Sequence, residues 1–427
     1  MTKQILNQTT FEVARLQNIS RNPILVIGDY INEEESFIAL QGILYCWNES
    51  IYVGNLKHKL NGIIQRICAG FTQRYSSNLG KEIYKYLCDS NQVSEWDINS
   101  NPQYIPFQNG WYDIDSCELI TPNENIYYTY QYDWDYEETA DCSRFKQFMI
   151  EILPNEVHRK KILTYLAYCF TNRVDMQKAL IIYGKGSNGK SVLMDIMNYI
   201  FKDNASHVML QNIGDRFNKI RYMGKLVNIA DDLPHTSLKE DGFFKMLVTN
   251  EVLEGEMKGK DPIDYKNSCK VICTCNQIPT PDYQCSEGFY RRWIIIPFLQ
   301  KFTVNPLMLT LKEEILGIIN YIISFVGEID SLRPYDLKKN KKLWYRYGAS
   351  TLQFYERCEK DEITTISCGE LYNDYHTYCK NNDLPNVNRI IFGKELSKLG
   401  IDKKQVKICV ELPPQWCYIG IFFDEED

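Results

Sequence analysis

Ala179-Leu-Ile-Ile-Tyr183-Gly184-Lys185-Gly186-Ser187-Asn188-Gly189-Lys190-Ser191 decides the fold. Its first five residues form an apolar run long enough for a buried strand, and it enters a glycine-spaced loop without a break. Val192, Leu193, Ile196, Tyr199 and Ile200 then recur at helical spacing. A strand, the pattern Gly184-x-x-x-x-Gly189-Lys190-Ser191 and a helix start together predict a phosphate-binding loop. Glycines let successive backbone N–H groups curl around phosphate oxygens, and the helix N-terminus adds the positive end of its dipole. Residues Gly184 to Val192 are the predicted nucleotide contacts, with Lys190 reaching the outer phosphates and Ser191 holding a magnesium ion. ATP and Mg²⁺ are the cofactors this implies.

Downstream, the chain alternates strands and helices, which predicts an α/β core with a parallel sheet. Lys225 to Ala230 reads as a second strand ending in Asp231-Asp232. Acids just past a strand's carboxyl end, downstream of such a loop, stand where Mg²⁺ and the attacking water must be held. Val271 to Cys275 reads as a third strand, ending in Asn276, whose amide can sense the outer phosphate or orient the water. Between them, Gly255, Gly259 and Pro262 predict a hairpin whose tip carries Lys258 and Lys260. Arg291-Arg292 precedes an apolar run, Ile294 to Phe298. Read alone, the pair is surface charge or an arginine finger, since guanidinium is a planar, permanently charged phosphate donor.

The flanking regions are less specific. Residues 1–140 read as an α+β segment, with aromatics alternating with Asn, Asp and Pro from Tyr104 to Tyr136, as in short strands with tight turns. Asp113 and Asp115 read as turn residues. Residues 141–178 read as two helices broken at Pro154, leading into the 179–330 core. The 331–350 connector carries six cationic side chains against one acid, Asp336, and reads as a solvated face or a DNA-backbone track. Residues 351–427 show helix, turn with Pro385, helix (Arg389 to Leu399) and two short aromatic strands. Lys403, Lys404 and Lys407 lie around the start of the first of these strands. That is a winged-helix layout, whose second helix would enter a DNA groove.

The bulk numbers fit an ordinary globular protein of several domains. The chain has 427 residues, a net charge of −7, 30 tyrosines, 15 cysteines and five histidines. The charge argues against a protein coated in nucleic acid but allows local basic tracks. The cysteines are scattered through apolar segments without a Cys-x-x-Cys pair, which predicts buried thiols rather than disulfides or zinc. Cys273 and Cys275, with no histidine near, fit the same reading. The acidic stretch at 424–427 reads as a tail. No apolar run approaches a membrane span and no leader is evident, so a cytoplasmic protein with no membrane partner is expected.

With these pieces in order, the sequence resembles the superfamily 3 helicases, in the branch found at the C-terminal half of phage and plasmid primases. The loop Gly184 to Ser191, with Asn188 before Gly189, has the family's form. Asp231-Asp232 resembles its acidic motif, Glu256-Met-Lys258 with Lys260 its hairpin motif, and Cys275-Asn276-Gln-Ile-Pro279 its strand-end motif. Arg291-Arg292 before Ile294-Ile-Ile-Pro-Phe298 is similar to its finger segment. Ile105 to Asp115 with Thr121-Pro122 is similar to the leader of this branch. The departures are two aspartates where many relatives have a glutamate, and a first 100 residues without a carboxylate set for primer synthesis.

The resemblance implies an AAA+-like fold, ring hexamers of this chain, ATP bound between subunits and 3′ to 5′ movement on single-stranded DNA. It also implies a stand-alone replication initiator of a mobile element, similar to those of phage-inducible chromosomal islands, working with a separate primase. Lys190, Asp231, Asp232, Asn276 and one of Arg291 or Arg292 would form the catalytic set, with Ser191 and Asp231 on the metal. Lys258, Lys260, Lys403 and Lys404 would contact DNA, the substrate being single strand in the ring and origin duplex at the C-terminus. An alternative is an origin-binding initiator whose ATPase is an assembly switch. A small-molecule kinase or a GTPase would need a substrate lid or an Asn-Lys-x-Asp, and neither is evident.

Overall fold

The computed structural model describes residues 21–423 except 71–73, 232, 234–240, 250, 260, 277, 280–286, 303–309, 335–337, 339, 341–342, 345–349, 362, 383, 385 and 408–412. Asp232, Lys260, Pro385, the 424–427 tail and much of the 331–350 connector therefore lie outside the described residues.

The N-terminal part builds a helix pair over a small sheet. Helix α1 (Pro23–Glu34) starts with proline, which is pre-set for the first turn, behind the Asn22 cap, whose side chain accepts from Leu25 N. Strands β1 (Phe37–Leu40), β2 (Ile43–Trp47) and β3 (Tyr52–Val53) form an antiparallel sheet. Helices α2 (Lys57–Gly70) and α3 (Ser77–Ser90) follow. Ile27, Ile31, Leu60, Ile63, Ile64 and Ile83 fill the core between them. At Gly28 a side chain would run into the Tyr86 ring, so α1 and α3 approach closely because this position is glycine.

A meander of β4 (Tyr104–Phe107), β5 (Gly110–Asp113) and β6 (Glu118–Ile120) comes next. Asp113 Oδ1 accepts from Asp115 N at 3.0 Å, so this acid closes a turn. The aromatics that follow point inward: Trp111 meets Tyr128 edge-on at 4.9 Å, and Tyr132 lies 5.0 Å from Phe170. Tyr132 Oη donates to the carbonyl of Phe170 and Trp134 Nε1 to that of Ile200, each at 3.0 Å. The tyrosine-rich segment thus packs with its rings in the core, and the polar tips of Tyr132 and Trp134 bond carbonyls near the ends of the helices Glu156–Phe170 and Lys190–Phe201.

Helices α4 (Ser143–Ile152) and α5 (Glu156–Phe170) lead into the sheet. Every residue of α5 from Ile162 to Phe170 is buried, which makes it a central helix rather than an amphipathic one. Tyr165 Oη ties it to the sheet through the carbonyls of Lys178 (3.1 Å) and Val271 (2.9 Å).

The core sheet holds β7 (Ala179–Tyr183), β8 (Ala205–Ser206), β9 (Val227–Ala230), β12 (Lys270–Cys275) and β13 (Trp293–Pro297), with α6 (Lys190–Phe201) after β7. Their order is β13-β7-β12-β9-β8 and every pairing is parallel. Strands β7, β9, β12 and β13 are buried along their whole length, as a parallel sheet covered on both faces requires. Between β9 and β12 the chain makes α7 (Asp241–Leu247) and an antiparallel hairpin, β10 (Val252–Gly255) with β11 (Ile263–Lys266). Helix α8 (Glu287–Tyr290) precedes β13, and α9 (Ile315–Ile323) packs beside α5. From the connector, the buried Trp344 donates to Pro279 O at 3.0 Å and stacks its edge on Phe289 and Tyr290.

The C-terminal part has its own core around Phe354, Leu371, Tyr375, Phe392, Leu396, Tyr418 and Ile421. Its elements are α10 (Ser350–Arg357), β14 (Thr365–Ser367), α11 (Cys368–Asn381), α12 (Arg389–Lys398), β15 (Lys403–Val406) and β16 (Gln415–Ile419). The strands form an antiparallel sheet in the order β14-β16-β15. A Ser367–Glu370 capping box starts α11, and Asn388 caps α12. No single helix among the described residues is long and apolar enough to cross a membrane.

Candidate active site

Register alone assembles the site. Tyr183 is the last paired residue of β7, opposite Cys275 of β12 and Pro297 of β13, and Ala230 of β9 lies opposite Cys273. The residues that leave these strands, Gly184, Asn276, Phe298 and Asp231, therefore emerge along one edge of the sheet. A crevice outside the carboxyl ends of parallel strands is where α/β sheets bind ligands.

The 184–191 loop is shaped by its glycines. The place of a Gly184 side chain is occupied by the Asn188 amide and the Phe298 carbonyl. Gly189 has φ +84, and a side chain there would strike Ile152 and Phe148 of α4. Gly186 (φ 79) and Ser187 (φ 48) take consecutive left-handed conformations, and Gly186 N donates to Gly184 O at 2.9 Å, which closes the loop into a tight turn. Gly189 caps α6 without a side-chain hydrogen bond, leaving the first-turn N–H groups directed at the loop. Asn188 is buried and braces the loop, donating to Phe298 O at 3.2 Å while its Oδ1 accepts from Lys190 at 3.2 Å.

Lys190 is buried, and its ammonium bonds to the Gly184 carbonyl, to Asn188 Oδ1 and to Asn276 Oδ1 (3.3 Å). The structure thus brings Lys190 and Asn276 together across 86 residues of sequence. Lys185, Gly186, Ser187 and Ser191 are exposed at the same edge, with Val192 half-buried. Asp231 is exposed one strand further over, and Thr274 Oγ1 donates to its Oδ1 at 3.3 Å. Thr274 is a positioning group that sequence reasoning passed over. Its signal is a hydroxyl near the end of a fully buried strand whose residues after Lys270 are otherwise apolar.

These features fit a triphosphate and its metal. At one edge of the sheet stand the N–H donors of the first turn of α6, the buried Lys190 ammonium, the exposed Ser191 hydroxyl and the exposed Asp231 carboxylate.

Arg291 and Arg292 are at the other edge. They precede Trp293, which pairs with Ala179 at the start of β7, so five strand residues separate them from the loop, roughly 17 Å at ~3.3 Å per residue. Arg292 is buried, with Nη1 donating to Gly288 O at 2.6 Å and its carbonyl accepting from Ala179 N at 2.7 Å. Arg291 is exposed. Within one chain neither guanidinium meets Lys190.

Lys258 sits exposed at the turn of the β10–β11 hairpin, 5.7 Å over the Phe217 ring. Arg216 is ion-paired with Glu256 at the same tip, bonding through Nη2 at 2.7 Å. Arg216 and Phe217 are far away in sequence, and nothing in their local pattern ties them to the hairpin. In the C-terminal part, Lys403 pairs with Tyr418 and Lys404 with Cys417, so the two lysines project from opposite faces of β15.

Away from the site, two buried lysines have their pKa drawn down to about 8. Burial is the main cause at Lys178, helped by Lys161, Arg291 and Arg292. At Lys270 burial acts against Cys169 and Cys269, which pull the other way.

Comparison with known proteins gives two family matches. Residues 182–292 match a family of unknown function, DUF5906, and residues 33–154 match the D5 N terminal like family. The chain is 27% identical over 225 residues, 48% of its length, to a protein of Acanthamoeba polyphaga mimivirus named "Putative helicase L207/L206", of which the match spans 22%. It is 26% identical over 139 residues to the DNA primase-polymerase of Nitratiruptor phage NrS-1, spanning 31% of this chain and 19% of that protein. The chain thus matches only a minor part of the length of either relative. The solved apo structure of the NrS-1 C terminal region superposes over 96% of this chain and 100% of that one, with a TM-score of 0.52 and 12% identity, a likeness of fold.

Proposed function

We propose that the protein is an ATP-dependent DNA helicase that initiates replication of a mobile genetic element, with a superfamily 3, AAA+-like core and a C-terminal winged helix. The observation that carries this reading is the meeting of Lys190 and Asn276 at the carboxyl edge of a parallel sheet, beside a left-handed glycine loop and Asp231. The names of the viral and phage relatives support a role in replication.

Bound ATP and Mg²⁺ would supply the phosphoanhydride to be cleaved and a divalent charge to offset the phosphates. The 184–191 backbone and Lys190 hold the outer phosphates, and Ser191 and Asp231 hold the metal. Asp232 polarises the water and Asn276 aligns it. The finger is Arg291, because Arg292 is engaged within its own turn. Since Arg291 lies at the far edge of its own sheet, it serves a loop only from a neighbouring copy, which makes the working form a ring, a hexamer of this chain. Lys258 and Lys260 on the hairpin grip the single strand inside that ring. A separate primase would supply the primer, and the protein would work in the cytoplasm.

Lys190→Ala tests the core of this proposal. Loss of ATP hydrolysis and of strand displacement on a 3′-tailed fork is expected, and hydrolysis at the wild-type rate would remove the loop from the mechanism.

A further inference from the structure

Helix α12 and the β15–β16 ribbon do not close on each other; between them lies an open cleft of about 870 Å³. Its size is that of a ligand site. Arg389 and Lys394 line it from the helix, and Lys403, Trp416 and Tyr418 line it from the ribbon. Among the described lining residues none is acidic. Trp416 is 51% exposed although its neighbours in β16, Cys417 and Tyr418, are buried. Lys403 Nζ lies 5.5 Å from the centre of the Trp416 ring. Gly393 faces Tyr418 so closely that a side chain there would come within 3.1 Å of the tyrosine hydroxyl. A mid-helix glycine costs about 1 kcal/mol relative to alanine, and here its lack of a side chain keeps the cleft floor clear.

A half-exposed indole set among three cations, with no acid among the described lining residues, favours an occupant that is both anionic and flat enough to stack. Bases stack on aromatic faces whatever their identity, and cations beside the ring take the flanking phosphates. We infer that this cleft binds single-stranded DNA, with one base stacked on Trp416 and its phosphates on Arg389, Lys394 and Lys403. The site differs from groove reading by α12, because a stacked base must be out of a duplex. It rests on the proposal that the protein acts on DNA, and it adds a second point, apart from the hairpin, at which the separated strand is held.

The test is fluorescence anisotropy of a labelled single-stranded oligonucleotide and of its blunt duplex on the full chain. Wild type, Trp416→Ala, Trp416→Phe, Arg389→Glu and Lys258→Ala are compared. Trp416→Ala is expected to weaken single-strand binding about tenfold while duplex binding changes less than about twofold. Trp416→Phe keeps a stacking face and should stay near wild type, which separates stacking from a folding defect. Arg389→Glu, at an exposed position, should weaken single-strand binding and make it less salt-dependent. If Trp416→Ala and Arg389→Glu bind the single strand as wild type does while Lys258→Ala does not, the cleft is overturned and the helicase proposal stands. If the wild-type chain binds neither oligonucleotide, both fall.

Discussion

Lys178 Nζ donates a 2.7 Å hydrogen bond to the carbonyl oxygen of Arg291. Lys178 is the residue before β7, so the strand that launches the 184–191 loop is fastened at its other end to the turn that carries the exposed arginine. The buried partner in that turn, Arg292, is bonded to Gly288 O. One arginine is presented and the other holds the turn that presents it.

The two arginines therefore predict different failures. Arg291→Ala should melt like wild type and lose hydrolysis by about 10³-fold or more, the scale of an arginine finger. Mixing it with Asp231→Ala subunits should restore part of the activity, because one kind of interface then holds an intact loop and an intact finger. Arg292→Ala should lose about 2–3 kcal/mol of stability in urea, from a carbonyl left without its charged donor and a cavity in the turn. Equal stability of the two variants, or no recovery at any mixing ratio, would contradict the division of labour.

Gly189 is a second position where a single methyl group decides the outcome. Its φ of +84 disfavours any L-residue by about 1–2 kcal/mol, and the added carbon would press on Ile152 and Phe148. Gly189→Ala should lower the thermal midpoint and weaken ATP binding more than Gly186→Ala, whose side chain would enter open space. Isothermal titration with ATP and a melting curve for both variants check this, and the reverse ranking would show that the helical segment does not shape the loop.

Four of the five sheet strands and the loop were legible because their signals are local: apolar runs of strand length, glycines at fixed spacing, a helical period directly behind; the two-residue β8 offers no such run. The hairpin, α11 and α12 could be read for the same reason, whereas α10 and the short β14 were not. What could not be read depends on pairing between distant segments. Thr274 matters only because β9 lies beside β12, and Phe217 only because its turn meets the hairpin tip. Arg291 and Arg292 look equivalent as neighbours in sequence, and only burial separates them. The segment from Tyr128 to Tyr132 alternates like a strand, yet its period serves to insert rings between the meander and α5.

Lys270 predicts a pH effect whose sign is fixed. Its ammonium is buried, bonded to the carbonyls of Thr171 and Ser268, and its pKa is drawn down from 10.5 to about 8. Below pH 8 it is charged in both folded and unfolded chains, and burial of that charge opposes folding. Between about pH 8 and 10.5 the unfolded chain binds more protons than the folded one, so this contribution shifts in favour of the folded state as pH rises. Lys270→Met lacks it. The stability of wild type relative to Lys270→Met should therefore increase from pH 7.5 to 9.5 in urea titrations, a range in which burial, pushing both thiols up to about 12, keeps Cys169 and Cys269 protonated in the folded chain. A flat or falling difference would mean that Lys270 is not buried as a charge.

Lys258 is the position where the motor proposal and a simple surface lysine diverge most. Its charge lies over the Phe217 ring at an exposed hairpin turn, so removing it disturbs no core contact and the fold should be unaffected. If the hairpin grips one phosphate of a single strand, Lys258→Ala should flatten the slope of log affinity against log salt by about 0.7, the value for one contact on single-stranded DNA. ATP hydrolysis without DNA should persist, because the hairpin contributes nothing to the 184–191 loop, while strand displacement should fall. Phe217→Ala is the companion variant: it should weaken binding with no change in salt slope, since an aromatic ring stacks but releases no counterion. An unchanged slope in Lys258→Ala together with full unwinding would return the hairpin to the ordinary surface and leave the ring without its grip on the strand.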